Sequence, residues 1–158
     1  MSESLQNAII FAEKSPDVKD LRSNGYFLNS AISILPPNQE NITDWILTYY
    51  SPKSKDVVQV FVKEAGVEVR KPDAPLAPNL KELRLSDIKT NGDKMFVKAK
   101  QEFLKHKKPL SQVIVTIQHD KSVDWRFNFI TKTLEIVQVS IDATSGSILG
   151  TTVTSLVR

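Results

Sequence analysis

The chain says nearly the same thing twice. Asp44-Trp45-Ile46-Leu47-Thr48-Tyr49-Tyr50 is followed by Asp56-Val57-Val58-Gln59-Val60, and eighty residues later Asp124-Trp125-Arg126-Phe127-Asn128-Phe129-Ile130 is followed by Glu135-Ile136-Val137-Gln138-Val139. The order is the same each time: an Asp-Trp pair, an alternating aromatic strand, a polar turn, and an acidic-aliphatic-Val-Gln-Val strand. A pattern of this kind points to a duplicated supersecondary unit before any residue is weighed for chemistry.

Around that pattern each half reads as one helix followed by a four-strand antiparallel meander. In the first half Leu5, Ala8, Ile9 and Ala12 recur at helical spacing, with Ser2 or Ser4 as caps. Pro16 ends this helix or starts a second turn that Asn24-Gly25 stops. Strands follow at about 26–35, 45–50, 57–63 and 67–69. In the second half Thr90 with Asp93 has the spacing of a capping box. Phe96, Ala99 and Phe103 form a helix face, and strands follow at 112–118, 123–130, 134–141 and 147–157. Val58, Val60 and Val62 match Val137, Val139 and Ile141 as core positions, which points Gln59 and Gln138 outward in both halves. The fold class is therefore α+β: two tandem helix-plus-antiparallel-sheet (αββββ) repeats, each helix covering the apolar face of its sheet. Their bounds are 1–70 and 90–158. Each repeat would be marginal alone at roughly 75 residues, so the halves are expected to pack together.

Residues 71–89 form the connection. Pro72, Pro75 and Pro78 exclude regular structure at its start. Leu80, Leu83, Leu85 and Ile88 make its end too apolar for a free tether, so it should lie along the surface of the halves.

Composition removes several kinds of chemistry. The chain has no cysteine, hence no disulfide, thiolate metal site or Cys nucleophile. Its two histidines, His106 and His119, lie in a lysine run and a turn without metal-ligand spacing. There is no Gly-x-Ser-x-Gly elbow and no phosphate-cradling glycine loop. The expectation is no metal, no cofactor and no enzymatic role. Asp142 is the most tempting acid, but its place ahead of Gly146 suits a turn whose side chain binds the backbone. Trp45 and Trp125, in alternating strands, suit core or inter-half packing. The net charge is +3, and much of it sits in Lys94, Lys98, Lys100, Lys105, Lys107 and Lys108. That is too local for a typical nucleic-acid binder. No apolar run approaches the ~20 residues of a membrane span. The start, Met1-Ser2-Glu3-Ser4-Leu5, lacks the features of a secretory signal, so the expectation is a cytoplasmic chain, or a cell-envelope or secreted one if a leader has been removed.

Val139-Ser140-Ile141-Asp142-Ala143-Thr144-Ser145-Gly146-Ser147-Ile148, after a Trp-led strand and a helix entered at Ser86-Asp87-Ile88, resembles the PepSY domain. That family has a strand ending in hydrophobic-Asp-Ala, a Thr/Ser-Gly turn and a return strand. The resemblance covers about 88–157. The first half is similar in layout, but Lys63-Glu64-Ala65-Gly66 stands where the Asp-Ala turn would be. The resemblance implies a PepSY/cystatin-like fold. It also implies a family of propeptide, membrane and standalone proteins, mostly of the envelope, for which peptidase inhibition has been proposed.

Two functional readings follow, with an enzyme as a weaker third. One is a non-catalytic module, inhibitor-like by the resemblance, that binds a protein, a peptide or a second copy through a sheet edge. The final strand carries that edge at Thr151, Val153 and Ser155. The other is a small-ligand or anion site at the basic helix end, Lys105, Lys107 and Lys108.

Overall fold

The computed structural model describes residues 3–73, 75–76 and 79–157. Its elements run α1 (Glu3–Glu13), α2 (Pro16–Ser23), β1 (Phe27–Leu35), β2 (Ile46–Tyr50), β3 (Val57–Lys63), β4 (Gly66–Arg70), a 3₁₀ turn (Leu85–Asp87), α3 (Gly92–Leu104), β5 (Leu110–His119), β6 (Val123–Thr131), β7 (Glu135–Asp142) and β8 (Ile148–Ser155). All eight strands make one antiparallel sheet in the order β4-β3-β2-β1-β5-β6-β7-β8.

The expectation of a separate sheet in each half is corrected here. β1 and β5 pair from Ser30↔Gln118 to Leu35↔Val113, so the first strand of each half seals the other. Among the described residues, β4 and β8 remain as the edges. The physical reason is the alternation of β1 and β5. Ala31, Leu35, Val113, Val115 and Ile117 are all buried on one face, so joining the strands makes a single core.

That core lies on one side of the sheet, under the helices. Leu5, Ile9 and Ala12 of α1 are buried, and α1 packs on β3 while α3 packs on β6 and β7. Phe96 stacks on Phe127 at 5.8 Å and Phe103 on Phe129 at 4.7 Å between ring centroids. Trp45 and Trp125 are both buried and meet at 6.3 Å. The ladders have matched registers. Leu47 lies opposite Val60 and Tyr49 opposite Val58, as Phe127 lies opposite Val139 and Phe129 opposite Val137. Trp45, one residue before β2, accepts from the Val62 amide through its carbonyl. Trp125 lies opposite Ile141. The other face of the sheet is open. Gln138 Nε2 donates to Asn128 Oδ1 there at 2.8 Å, and Ile34 is exposed.

Two helix starts are instructive. Ser15 caps α2, accepting from the Val18 amide, with Pro16 in the first turn. At α3 the cap is Asn91, whose side chain accepts from the Lys94 amide, and the Thr90/Asp93 capping box does not form. Both residues are used elsewhere: Trp125 Nε1 donates to Thr90 Oγ1 at 2.9 Å, Thr90 Oγ1 donates to the Ala143 carbonyl, and Asp93 accepts from the Ile42 amide. At α1, Ser4 falls inside the helix, and Ser2 lies outside the described residues.

The connection is pinned at several points. Lys71 Nζ lies 2.7 Å from Asp56, Asn29 Nδ2 donates to the Lys81 carbonyl, the Leu83 amide donates to Leu28, and the Lys89 amide donates to Ala143. Leu83 is buried. The segment thus ties β1 to the β7 end of the sheet. Pro78 lies outside the described residues.

Candidate functional site

The two edges differ in chemistry. β4 carries Glu68, held between Lys63 and Arg70 at 2.8 Å each, and Lys71-Pro72 follows directly. Charge and proline are the usual protection of an edge. β8 reads Ile-Leu-Gly-Thr-Thr-Val-Thr-Ser, with neither. From Leu149 onward every residue of the strand is exposed.

The ladder fixes which backbone groups of β8 are unused. Ser155 lies opposite Glu135, Val153 opposite Val137 and Thr151 opposite Val139. Just beyond, the Leu156 amide donates inward to the Leu134 carbonyl at 2.8 Å. Hydrogen-bonded and non-hydrogen-bonded pairs alternate along an antiparallel ladder. Thr154 and Thr152 therefore also face β7, and Thr151, Val153 and Ser155 turn their N–H and C=O groups outward. The far end obeys the same alternation: the Asp142 amide donates to Ser147 and the Ala143 amide to Val123 on the opposite side. A bulge at Leu149, where the register shifts, closes one end of this row. At the other end Ser155 Oγ bonds both the amide and the carbonyl of Val157.

The basic run sits at the same corner. Lys108 Nζ meets Glu135 Oε2 at 2.7 Å, directly across from Ser155. This lysine holds the Glu135 carboxyl below its ordinary pKa. Lys105 is paired with Glu102. Lys107, at φ 51°, is exposed and has no acidic partner within 4 Å among the described residues. The structure thus brings Ser155 and Lys108 together through Glu135, with Lys105 engaged on its own helix.

The other candidates resolve into structural roles. Asp142 Oδ1 accepts from the Ser145 and Thr144 amides at 2.9 and 2.8 Å, and those bonds lower its pKa. Gly146 takes φ +78° to complete the turn. His119 Nδ1 lies 2.6 Å from the Glu82 carbonyl, and His106 closes the end of α3 through its amide. Among the described residues no group of three His, Asp or Glu could hold a metal, and no helix is long and apolar enough to cross a membrane. Sequence reasoning missed a groove of about 530 Å³ between the 36–45 loop and α3, with Phe96 beneath it and Val97, Leu104, Lys94 and Lys100 at its rim. Val97 and Leu104, exposed at i and i+7 on α3, were the available signal. None of Lys105, Lys107 and Lys108 lines it.

No family model and no curated relative matches this sequence. The fold is similar to that of a protein from Clostridium difficile 630, whose crystal structure names it a "putative lipoprotein". The two are 10% identical with a TM-score of 0.53, over 87% of this chain and 89% of that one, a likeness of fold alone.

Proposed function

We propose that the chain is a non-catalytic binding module that takes an extended protein or peptide segment as a ninth strand on β8. The observation that carries this is the outward row of main-chain groups at Thr151, Val153 and Ser155, on an edge without charge or proline. In strand addition the main chain supplies affinity and alternate side chains supply selectivity. The anion-site reading is weaker, because Lys105 and Lys108 already have carboxylate partners.

The module reads as two copies of one PepSY-like αββββ unit joined through β1 and β5. The matched ladders, with Leu47 over Val60 as Phe127 over Val139, support that reading, as does the Asp142 turn. An inhibitor-like role fits within it, since a bound peptidase loop is one such extended segment.

Hydrogen exchange in the presence of short extended Thr/Val peptides tests the reading. Binding should slow exchange at Thr151, Val153 and Ser155. Binding that protects α3 and the 36–45 loop instead would overturn it.

A further inference from the structure

We infer that the segment β8 takes is β8 of a second copy of this chain, paired antiparallel about a two-fold axis at Val153. This rests on the strand-capture reading above and names its partner.

Three observations lead there. First, β8 is neutral from Ile148 to Ser155, so two copies approach edge to edge without facing like charges. Second, the outward groups are self-complementary in one register. With Val153 opposite Val153, Thr151 lies opposite Ser155 and Ser155 opposite Thr151, and all three residues exchange both main-chain bonds. Val153, now 47% exposed, then meets its own copy, and hydroxyl side chains meet each other on either side. Moving the register by two residues puts Val153 against a hydroxyl and leaves one outward residue unpaired. Third, the other edge opposes growth. Glu68, Arg70 and Lys71-Pro72 guard β4, so a β8-to-β4 contact, which would run on as a filament, is disfavoured. A β8-to-β8 contact is isologous and closes. The axis stands normal to the sheet, so both sets of helices lie on the same side.

Light scattering over a concentration series reads the association. The expected mass moves from 17.8 kDa toward twice that value as concentration rises. Val153→Pro removes one outward N–H and no bond to β7. It should remain monomeric with the thermal midpoint of the dilute, monomeric wild type, and Val153→Lys should do the same by setting two ammonium groups face to face. Thr152→Pro, which breaks the bond to Gln138, should lower the midpoint. In the wild type, the Thr151, Val153 and Ser155 amides should become protected only as concentration rises, while Thr152 and Thr154 stay protected throughout. That readout does not depend on any variant folding. A dimer that survives both Val153 variants, or protection elsewhere, overturns the proposal. A wild type that stays monomeric up to about 1 mM overturns the second copy as partner. In that case a synthetic peptide spanning Ile148–Ser155 decides the wider reading: Val153-dependent binding keeps strand capture, and no binding removes both.

Discussion

Asp124 and Asp142 lie directly opposite each other in the β6–β7 ladder, and their carboxyl pKa values move in opposite directions. Burial raises that of Asp124, with Arg126 as partial compensation at 3.4 Å. The Ser145 and Thr144 amides lower that of Asp142. The two residues therefore contribute to pH dependence with opposite signs. A carboxyl with a depressed folded pKa stabilises above its ordinary value near about 3.9 and loses that contribution as pH falls through the folded value. One with a raised folded pKa costs stability at neutral pH, and the cost fades in acid. Asp142→Asn should lower the melting temperature at pH 7, with the gap closing below about pH 4. Asp124→Asn should leave it equal or higher, again converging in acid. Melts from pH 3 to 7 that move both variants the same way would contradict the assignment.

The Thr90 hydroxyl should matter more than the Asn91 cap beside it. Thr90→Val leaves the buried Trp125 N–H without its acceptor, at a cost of about 1–3 kcal/mol. Asn91→Ala removes a helix cap, at about 1 kcal/mol. Trp125→Ala, which truncates a fully buried side chain, should cost about 3–5 kcal/mol. Denaturant midpoints for the three variants give the ranking.

Gly146 is held by its backbone rather than by lack of space. An added Cβ would meet Met95 Sδ at 3.5 Å, an ordinary contact, but φ is +78°. Gly146→Ala should therefore cost about 1–2 kcal/mol through backbone strain alone. Loss of much more in a denaturant melt would mean that the turn repacks onto α3.

The β4 edge supplies its own test. Glu68→Thr combined with Arg70→Thr strips its ion pairs while keeping β propensity. The double variant should form species larger than a dimer, seen as rising scattering with time. If it stays at the wild-type mass, charge is not what blunts this edge.

Much of the fold was legible in the sequence because the strands alternate cleanly. The core positions of β3, β6 and β7 followed from period two, Asn24-Gly25 marked the end of α2, and Asp142 to Gly146 marked the turn after β7. What was not legible is long-range. Nothing local in Ser30 to Leu35 says that β5 is its second partner, so a separate sheet was expected in each half where the two are joined. The cap at α3 was misplaced for a similar reason: Thr90 has the right spacing for a cap, but its hydroxyl is claimed by Trp125 from another element. For the candidate surface, Thr151, Val153 and Ser155 were readable as an edge from composition. Their outward main-chain groups needed the ladder, and the meeting of Lys108 with Glu135 needed the fold.

The β1–β5 seam has a consequence for how the chain reaches this state. Its two strands are separated in sequence by β2, β3, β4, the pinned connection and α3. A ribosome releases the first half with β1 paired to β2 alone, and its other side has no partner until β5 emerges. Pairing that spans so much chain is slow to close, and unpaired strands invite misassembly while they wait. The central seam, fully paired in the finished protein, is thus a vulnerable surface during synthesis, and a fragment ending before β5 should precipitate rather than fold.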